Sequence, residues 1–473
     1  MLLNIGENEK KFYKYQQIYI NFKNLILNRK MLPGEKLPTK RNLSKELNVS
    51  VNSVTNAYEQ LLAEGYIHAI ERSGYYVEDI AQYNDDMEES EFPEDLKEEG
   101  APRRFEISLS HMATDLEYFP HDKWLNAEKH VFKNYKEEIS QISHPQGPYE
   151  IRETISRLIS VNRGVKCKPE QIVIGSGTQS LIKQILTMDN TTKTVGMENP
   201  GYRRMYDLFK ALNLKVNPIE LDDSGININK IKESDSNILF ITPSHQFPTG
   251  KIMSISRRIE LLNWASESNE RYIIEDDYDS EFKYGTDHIP ALQSLDRHDK
   301  VIYAGTFSKT LFSGLRISYI VLPPDLLRKY REMYSNWIQG SSIFNLYTLN
   351  HFINNGDYSK YVKKMNLHYE KVREKLITTL KEEFGNSIVI HDIPAGLHFY
   401  AEFKTDKTYE EIERQATCKN IELYTLRRFS IKGIEEGQDK RALIIGFAKL
   451  RLGTVEEAVK KLKKVVFKVS KWK

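Results

Sequence analysis

Residues 81–104 of this 473-residue chain read AQYNDDMEESEFPEDLKEEGAPRR, with nine acidic residues over Asp85–Glu99 and an Ala101-Pro102 step near the end. A run of like charge broken by Pro and Gly buries too little apolar surface to join a core, so it reads as a solvated linker. The break constrains everything else, because the chain must fold as a part of about 80 residues and a part of about 370. Net charge hides this division. The 68 Lys+Arg and 66 Asp+Glu sum to +2, yet basic residues gather around Lys36–Lys45 and again from Lys449 to Lys473. The near-neutral total is therefore no argument against nucleic acid. With 40% hydrophobic residues the chain is globular rather than disordered. Two cysteines, Cys167 and Cys418, are too few for a disulfide framework or a four-thiolate zinc site, and they suit a reducing cytoplasm. The opening MLLNIGENEKK has no apolar signal core, and no stretch nears the ~20 apolar residues of a membrane span. The expectation is a cytoplasmic chain that does not enter a membrane.

The first part, residues 1–80, is expected to be helical and then hairpin-like. Ile18, Phe22, Leu25 and Ile26 fall at helical spacing, and Pro33-Gly34 stops that helix. Thr39 can cap a second helix carrying Leu43 and Leu47. After a tight turn at Asn48-Val49, Ser50 caps a third, with Val51, Val54, Tyr58, Leu61 and Leu62 facing inward. Short strands around Tyr66–Ile70 and Tyr75–Val77 follow, joined at Ser73-Gly74. This is the plan of a winged helix-turn-helix, whose second helix docks in a DNA major groove. Its outward residues here, Asn52, Ser53, Thr55 and Asn56 beside Ser50, are short hydrogen-bonders suited to phosphates or base edges. Lys36, Lys40, Arg41 and Lys45 stand where a phosphate backbone runs, and Arg72 sits at the wing tip.

After the linker, residues 105–473 alternate apolar runs with helical stretches. The runs Ile172–Ile174, Ile238–Thr242, Tyr272–Ile274, Val301–Ala304 and Ile317–Leu322 alternate with stretches such as Arg257–Glu267. This predicts an α/β body with a mostly parallel sheet, its ligand site at the carboxyl ends of the strands. From about Ser359 the chain turns helix-rich, with a strand pair near Ile388–Phe403, and a smaller α+β subdomain is expected there.

Four constellations in this body fit one cofactor, pyridoxal 5′-phosphate. In GTFSKTLFSGLR, Lys309 follows a strand and offers the amine that an aldehyde cofactor needs for a Schiff base. Thr306 and Ser308 offer hydroxyls to a phosphate, and the guanidinium fork of Arg316 suits paired phosphate oxygens. In YIIEDDYDSEF, a buried carboxylate can keep a pyridine nitrogen protonated. Asp276 is the choice, with Tyr278 reaching the phenolic oxygen, although the pleat leaves Glu275 and Asp277 open. No His-rich partner set accompanies these acids, so no metal is expected. In IVIGSGTQSLIKQIL, a strand, a Gly-rich turn and a helix N-terminus make Gly177, Thr178 and Gln179 phosphate candidates. In ENPGYRR, Tyr202 can stack on the ring and Arg204 can pair an effector's carboxylate.

The wording of both parts carries a resemblance. MLPGEKLPTKRNLSKELNVSVNSVTNAYEQLLAEGYIHAIERSGYYV is similar to the GntR-type winged helix nearly end to end, except that Val51 stands where that family usually has Arg. The order GTQ, PGY, PSHQFPTG, Asp-Tyr strand and SK…R, with HPQGPYEIRETI and RGVKCKPEQIVI before it, resembles the fold-type I aminotransferases from about Phe119 onward. The whole chain resembles the MocR/GabR-type regulators. The resemblance implies a PLP-dependent transcriptional regulator that senses an amine or amino acid, or the cofactor itself, through a Lys309 aldimine. It also implies a head-to-tail homodimer on double-stranded DNA with two half-sites.

Two positions depart from a working transaminase. PSHQFPTG has Phe247 where the superfamily supplies Asn to the phenolic oxygen, with His245 as the substitute donor. ALIIGFA has Ile444 where enzymes carry an Arg for the substrate carboxylate, and Arg427 (or Arg428) in YTLRRFS is the replacement. Sensing with little turnover is therefore favoured over an aminotransferase with an accessory DNA-binding arm. The effector is not named by the sequence: γ-aminobutyrate, another ω-amino acid, a D-amino acid, taurine and the cofactor all fit.

Overall fold

A computed structural model of the chain describes residues 13–80, 92–97, 104–112, 114–285, 289–391, 394–433 and 440–467. Most of the acidic stretch over Asp85–Glu99, and the end of the Lys-rich run after residue 467, lie outside these residues. The chain divides into two compact units, Met1–Pro102 and Arg103–Lys473.

The first unit has three helices, α1 (Lys14–Leu27), α2 (Lys40–Glu46) and α3 (Val51–Ala63), and a hairpin of β1 (Ile67–Ile70) and β2 (Gly74–Val77). Thr39 and Ser50 cap α2 and α3, accepting from the backbone N–H of Asn42 and Ser53 at 3.3 and 3.1 Å. The turn before α3 places Asn48 at φ 49°, a left-handed conformation that Asn tolerates. Ser50→Ala removes one capped donor. The expected cost is about 1 kcal/mol, or about 4–8 °C in the melting of a unit this small, followed by circular dichroism.

Ile18, Phe22, Leu43, Val54, Tyr58 and Leu61 form the core of this unit, closed by Ile67 and Val77 from the hairpin. Two expectations fail. Val51 is 43% exposed and Leu62 39%. Val51 opens its helix, and its side chain leans back toward the N-terminus, past the core edge. Leu62 lies one position around the helix from the buried Leu61.

The second unit is built on an eight-stranded sheet. Counting β3 (Ile107–Ser108) first, its strands are β4 (Ile172–Gly175), β5 (Thr194–Asn199), β6 (Lys215–Asp222), β7 (Gly225–Ile226), β8 (Ile238–Ile241), β9 (Tyr272–Asp277), β10 (Val301–Thr306) and β11 (Ser318–Val321). The order is β4-β11-β10-β9-β8-β5-β6-β7. The pairs β6–β5, β5–β8, β8–β9 and β9–β10 are parallel, whereas β11 runs antiparallel to both β10 and β4. All five apolar runs read from the sequence are strands of this sheet. Their unbroken apolar character follows from burial on both faces. Val173, Ile302 and Ile320 pack into one layer, and their neighbours Ile174, Tyr303 and Tyr319 into the other.

The 28-residue helix Asp357–Phe384 leads into a smaller part. The expected strand pair forms there as β12 (Ile388–His391) and β13 (His398–Lys404). After β14 (Ile421–Glu422), β15 (Tyr424–Thr425) and β16 (Lys440–Gly446) complete a four-stranded sheet in the order β12-β13-β16-β15. Strand β14 pairs in parallel with β3 as a separate two-stranded sheet, tying the start of this unit to the smaller part. Among the described residues no helix is long and apolar enough to cross a membrane.

Candidate functional site

The carboxyl ends of β4, β5, β9 and β10 open onto one cleft, as strand ends do in open α/β sheets. Gly177, Thr178, Gln179, Tyr202, Arg204, Asp276, Tyr278, Thr306, Ser308, Lys309 and Arg316 all line it. Residues from 177 to 316 thus meet because four strand-to-helix or strand-to-loop turns end on the same side of the sheet.

Lys309 is enclosed, and its Nζ donates to the His111 carbonyl. Burial brings the amine down to about 8, against the opposing pull of Asp279. Of the three acids on β9, two are already engaged. Glu275 accepts from the Leu292 and Gln293 backbone at 2.7 and 2.9 Å. Asp277 pairs with Arg163 at 2.7 Å and accepts from the Tyr303 hydroxyl at 2.6 Å. Asp276 alone faces the cleft, with no hydrogen-bond partner among the described residues. Burial, then Asp277, Asp279 and Glu198, pushes it up to about 7. A cation or an N–H placed beside it would restore its charged form.

Gly177 and Arg316 make a cradle. Gly177 has φ 151° and precedes the helix Thr178–Thr187. A Cβ at this position would lie 2.2 Å from the Arg316 guanidinium. Arg316 itself sits at φ 53°, the left-handed region that non-glycine residues rarely adopt. The Ser308 hydroxyl is buried without a partner among the described residues. Thr306 is more occupied: its hydroxyl accepts from the Ser308 N–H at 3.1 Å and from Ser318 at 2.8 Å, and donates to the Ile317 carbonyl. Gln179 reaches the Arg204 carbonyl at 3.2 Å. Helix N-terminal N–H groups, an unpartnered hydroxyl and a guanidinium around one glycine suit a phosphate.

Two expected residues lie elsewhere. His245 is turned away from the cleft: its Nδ1 stands 3.1 Å from both Asp279 oxygens, and the Tyr278 hydroxyl donates to its carbonyl at 3.0 Å. Sequence reading gives no role to Asp279, the last acid of DDYD in the YIIEDDYDSEF stretch, yet it captures the imidazole. Arg427 pairs with Glu410 and does not line the cleft. Arg428 does not line the cleft either; it shares a neighbouring hollow with Arg427 and lies over the Tyr424 ring at 4.7 Å, a ring that is 5.0 Å from His111.

Sequence reading missed His111, which lines the cleft and supplies the carbonyl to Lys309. Burial, then Lys309, Arg204 and Arg428, lowers its imidazole to about 2, so it is neutral. No motif surrounds it, and the β3–β14 pairing, with Leu109 accepting from the Gly446 N–H, brings it here. The two departures, Phe247 and Ile444, belong to one apolar cluster with Phe429. The ring of Phe247 stands 5.1 Å from Phe429 and 5.4 Å from Tyr202. The amide and guanidinium expected of an enzyme are thus replaced by a single packed apolar wall.

In the first unit, Asn52, Asn56, Lys36, Arg41, Lys45 and Ser50 are exposed, and Lys40, Ser53 and Thr55 are half-buried. Ser53 and Ser50 share a 2.9 Å hydroxyl contact. Lys36 and Lys40 lie over the wing rings Tyr76 and Tyr75 at 5.7 and 5.1 Å. Arg72, at φ 60°, is 93% exposed on the wing turn. A cationic wing flanks a helix N-terminus of small polar residues.

Comparison with known proteins agrees with both units. Residues 14–77 match the family of bacterial regulatory proteins, gntR family. Residues 110–440 match aminotransferase class I and II. The chain is 36% identical over 452 residues to the HTH-type transcriptional regulator YdeL of Bacillus subtilis (strain 168), covering 95% of this chain and 96% of that protein. It is 27% identical to the probable rhizopine catabolism regulatory protein MocR of Rhizobium meliloti, covering 95% and 93%. Among solved structures, the α-aminoadipate aminotransferase LysN of Thermus thermophilus, complexed with N-(5′-phosphopyridoxyl)-L-leucine, aligns with a TM-score of 0.67 at 22% identity, over 76% of this chain and 91% of that one. At that identity the likeness speaks for the fold alone. With both units matched in order along one chain, the protein belongs to the MocR/GabR-type transcriptional regulators, in which a GntR winged helix is joined to an aminotransferase-like body.

Proposed function

We propose that the cleft holds pyridoxal 5′-phosphate on Lys309 and that an amine or amino acid entering it changes how the winged helix engages DNA. The observation that carries this reading is the convergence of an enclosed amine lowered to about 8, an unpartnered Asp276 and the Gly177–Arg316 cradle in one cleft. Bound there, the cofactor supplies an aldehyde that exchanges between primary amines, and a ring that withdraws electrons. Gly177, Thr178, Ser308 and Arg316 would hold its phosphate, Asp276 would keep a proton on the pyridine nitrogen, Tyr278 would offer its hydroxyl to the phenolic oxygen, and Tyr202 would cover the ring.

Arg204, which lines the cleft, and Arg428, from the neighbouring hollow, would receive an acidic group of the effector, since Arg427 is held by Glu410. The reader is residues 1–80, the linker 81–104 and the sensing body 105–473, acting in the cytoplasm as a homodimer on two half-sites. A ligand that binds two states of the body unequally shifts their populations, and that shift is the signal. The test is to titrate the full chain with a panel of amines while following the cofactor's absorption band. Each hit then enters a DNA-binding assay on the segment upstream of the protein's own gene. Hits that shift the band but never alter DNA binding overturn the reading.

The intact Lys309, Asp276 and Arg316 favour a second reading, transamination. Turnover needs the substrate held in one reactive pose, and the apolar wall of Phe247, Phe429 and Ile444 removes two polar anchors for it. With amino donor in excess and a panel of keto acids, the expected result is at most a single conversion per chain. Sustained turnover at enzyme-like rates would replace the sensor reading.

A further inference from the structure

Beside the cleft, three side chains from distant parts of the chain converge on one another. His245 comes from the loop after β8, Asp279 from the loop after β9, and His398 opens β13. One donor atom from each lies within 4.8 Å of the other two. All three are buried, at 4%, 1% and 1% exposure. Three of the four imidazole nitrogens, His245 Nε2 and both of His398, have no hydrogen-bond partner among the described residues. Buried polar atoms are paired as a rule, and three unpaired nitrogens in one cluster with a carboxylate call for an explanation, a bound water or ion among them.

We propose that His245, Asp279 and His398 bind one divalent transition-metal ion. Two imidazoles and a carboxylate are the donor set of zinc, cobalt, nickel or ferrous sites, and too rich in nitrogen for calcium or magnesium. His245 Nδ1 and the Asp279 oxygens, 3.1 Å apart, already stand at the separation of two ligands on one ion, so Nδ1 and one carboxylate oxygen face it together and His398 supplies the third donor.

The surroundings leave room for an ion and little else. A cavity of about 20 Å³, the space of one water-sized body, borders the cluster on the side of His245, Asp279 and Gly396; Arg163 and Lys283 also line it, and His398 closes the cluster without lining the cavity. At Gly396, φ 70°, a Cβ would lie 2.1 Å from His245 and 2.5 Å from Asp279, so no side chain can fill the spot. The nearby Arg163 does not compete for Asp279, because it is bound to Asp277 and Ser244. Solvent from the small cavity completes the coordination.

The test uses the untagged full chain, stripped with a chelator and titrated with Co²⁺ alone. Its readout needs neither cofactor nor DNA, so it stands apart from the regulatory reading. The expected result is a set of visible d–d bands that saturates at one equivalent. His398→Ala and Asp279→Asn should weaken binding at least ~100-fold. His351→Ala, in the His130–His351 stack at 3.9 Å, should leave it unchanged. If the variants fail to fold, X-ray absorption at the cobalt edge of the wild-type chain decides, with two imidazole ligands expected. No bands at tenfold excess, bands that persist in His398→Ala, or an edge spectrum without two imidazoles would each overturn the proposal, leaving a water-filled cluster.

Discussion

Lys309→Ala is expected to abolish the response to amines while operator DNA is still bound. The side chain to be removed is the only lysine among the described residues that line the cleft, and its environment makes it a nucleophile. A lysine at the ordinary value near 10.4 is neutral in about one molecule in a thousand at pH 7.5, whereas one near 8 is neutral in roughly a quarter. Burial disfavours the ammonium and Asp279 only partly restores it, so attachment of an added aldehyde cofactor should speed up as pH rises toward about 8 and level off above. In Lys309→Ala the cofactor's band should be lost on dialysis, and the amine-dependent change in a gel-shift assay should vanish. Lys309→Arg is the discriminating control, because it keeps the positive charge but cannot condense with an aldehyde. A Lys309→Ala protein that still answers to amines would show that the cleft senses by noncovalent fit alone.

The strands of the body were legible because burial on both sheet faces demands unbroken apolar runs, and such runs survive in a single sequence. The cleft was legible in part for the same reason, since each motif sits at a strand end. What could not be read were partners. YIIEDD offers three equivalent acids. Arg163, far upstream, and Tyr303 and the Leu292–Gln293 backbone, downstream, distinguish Asp277 and Glu275 from Asp276. His245 sits two residues from Phe247, yet Asp279 and His398 decide where it points. Arg427 and Arg428 are adjacent, and Glu410 takes one of them. The coupling between Phe247 and Ile444 was equally hidden: the two appear as separate losses in sequence and as one packed wall in the fold. Val51 fits the helical period and still protrudes, because periodicity carries no information about where a core ends.

Phe22→Ala should unfold the winged helix and leave the body standing. Phe22 is fully buried and meets Tyr58 edge-on at 5.7 Å. Tyr58 in turn packs on Tyr75 at 5.2 Å and donates to the Pro38 carbonyl at 2.9 Å, linking α1, α3 and the wing through one aromatic stack. Truncating a buried Phe costs about 3–5 kcal/mol, from lost transfer energy and the cavity left behind. A unit of this size buries only ~60% of its unfolded surface and has little stability to spare, so a loss of that size consumes most of it. Calorimetry of the full chain should show the transition of the reader gone or moved below room temperature, while the cofactor's band and its response to amines remain. Operator binding should fall to the nonspecific level. Phe22→Leu, which keeps most of the volume, should cost far less and retain specific binding at reduced temperature. If Phe22→Ala instead bound DNA normally, the aromatic stack would not be what holds the recognition helix to its wing. If the variant lost the amine response as well, the reader and the sensing body would fold as one cooperative unit, and the acidic stretch between them would not insulate one from the other.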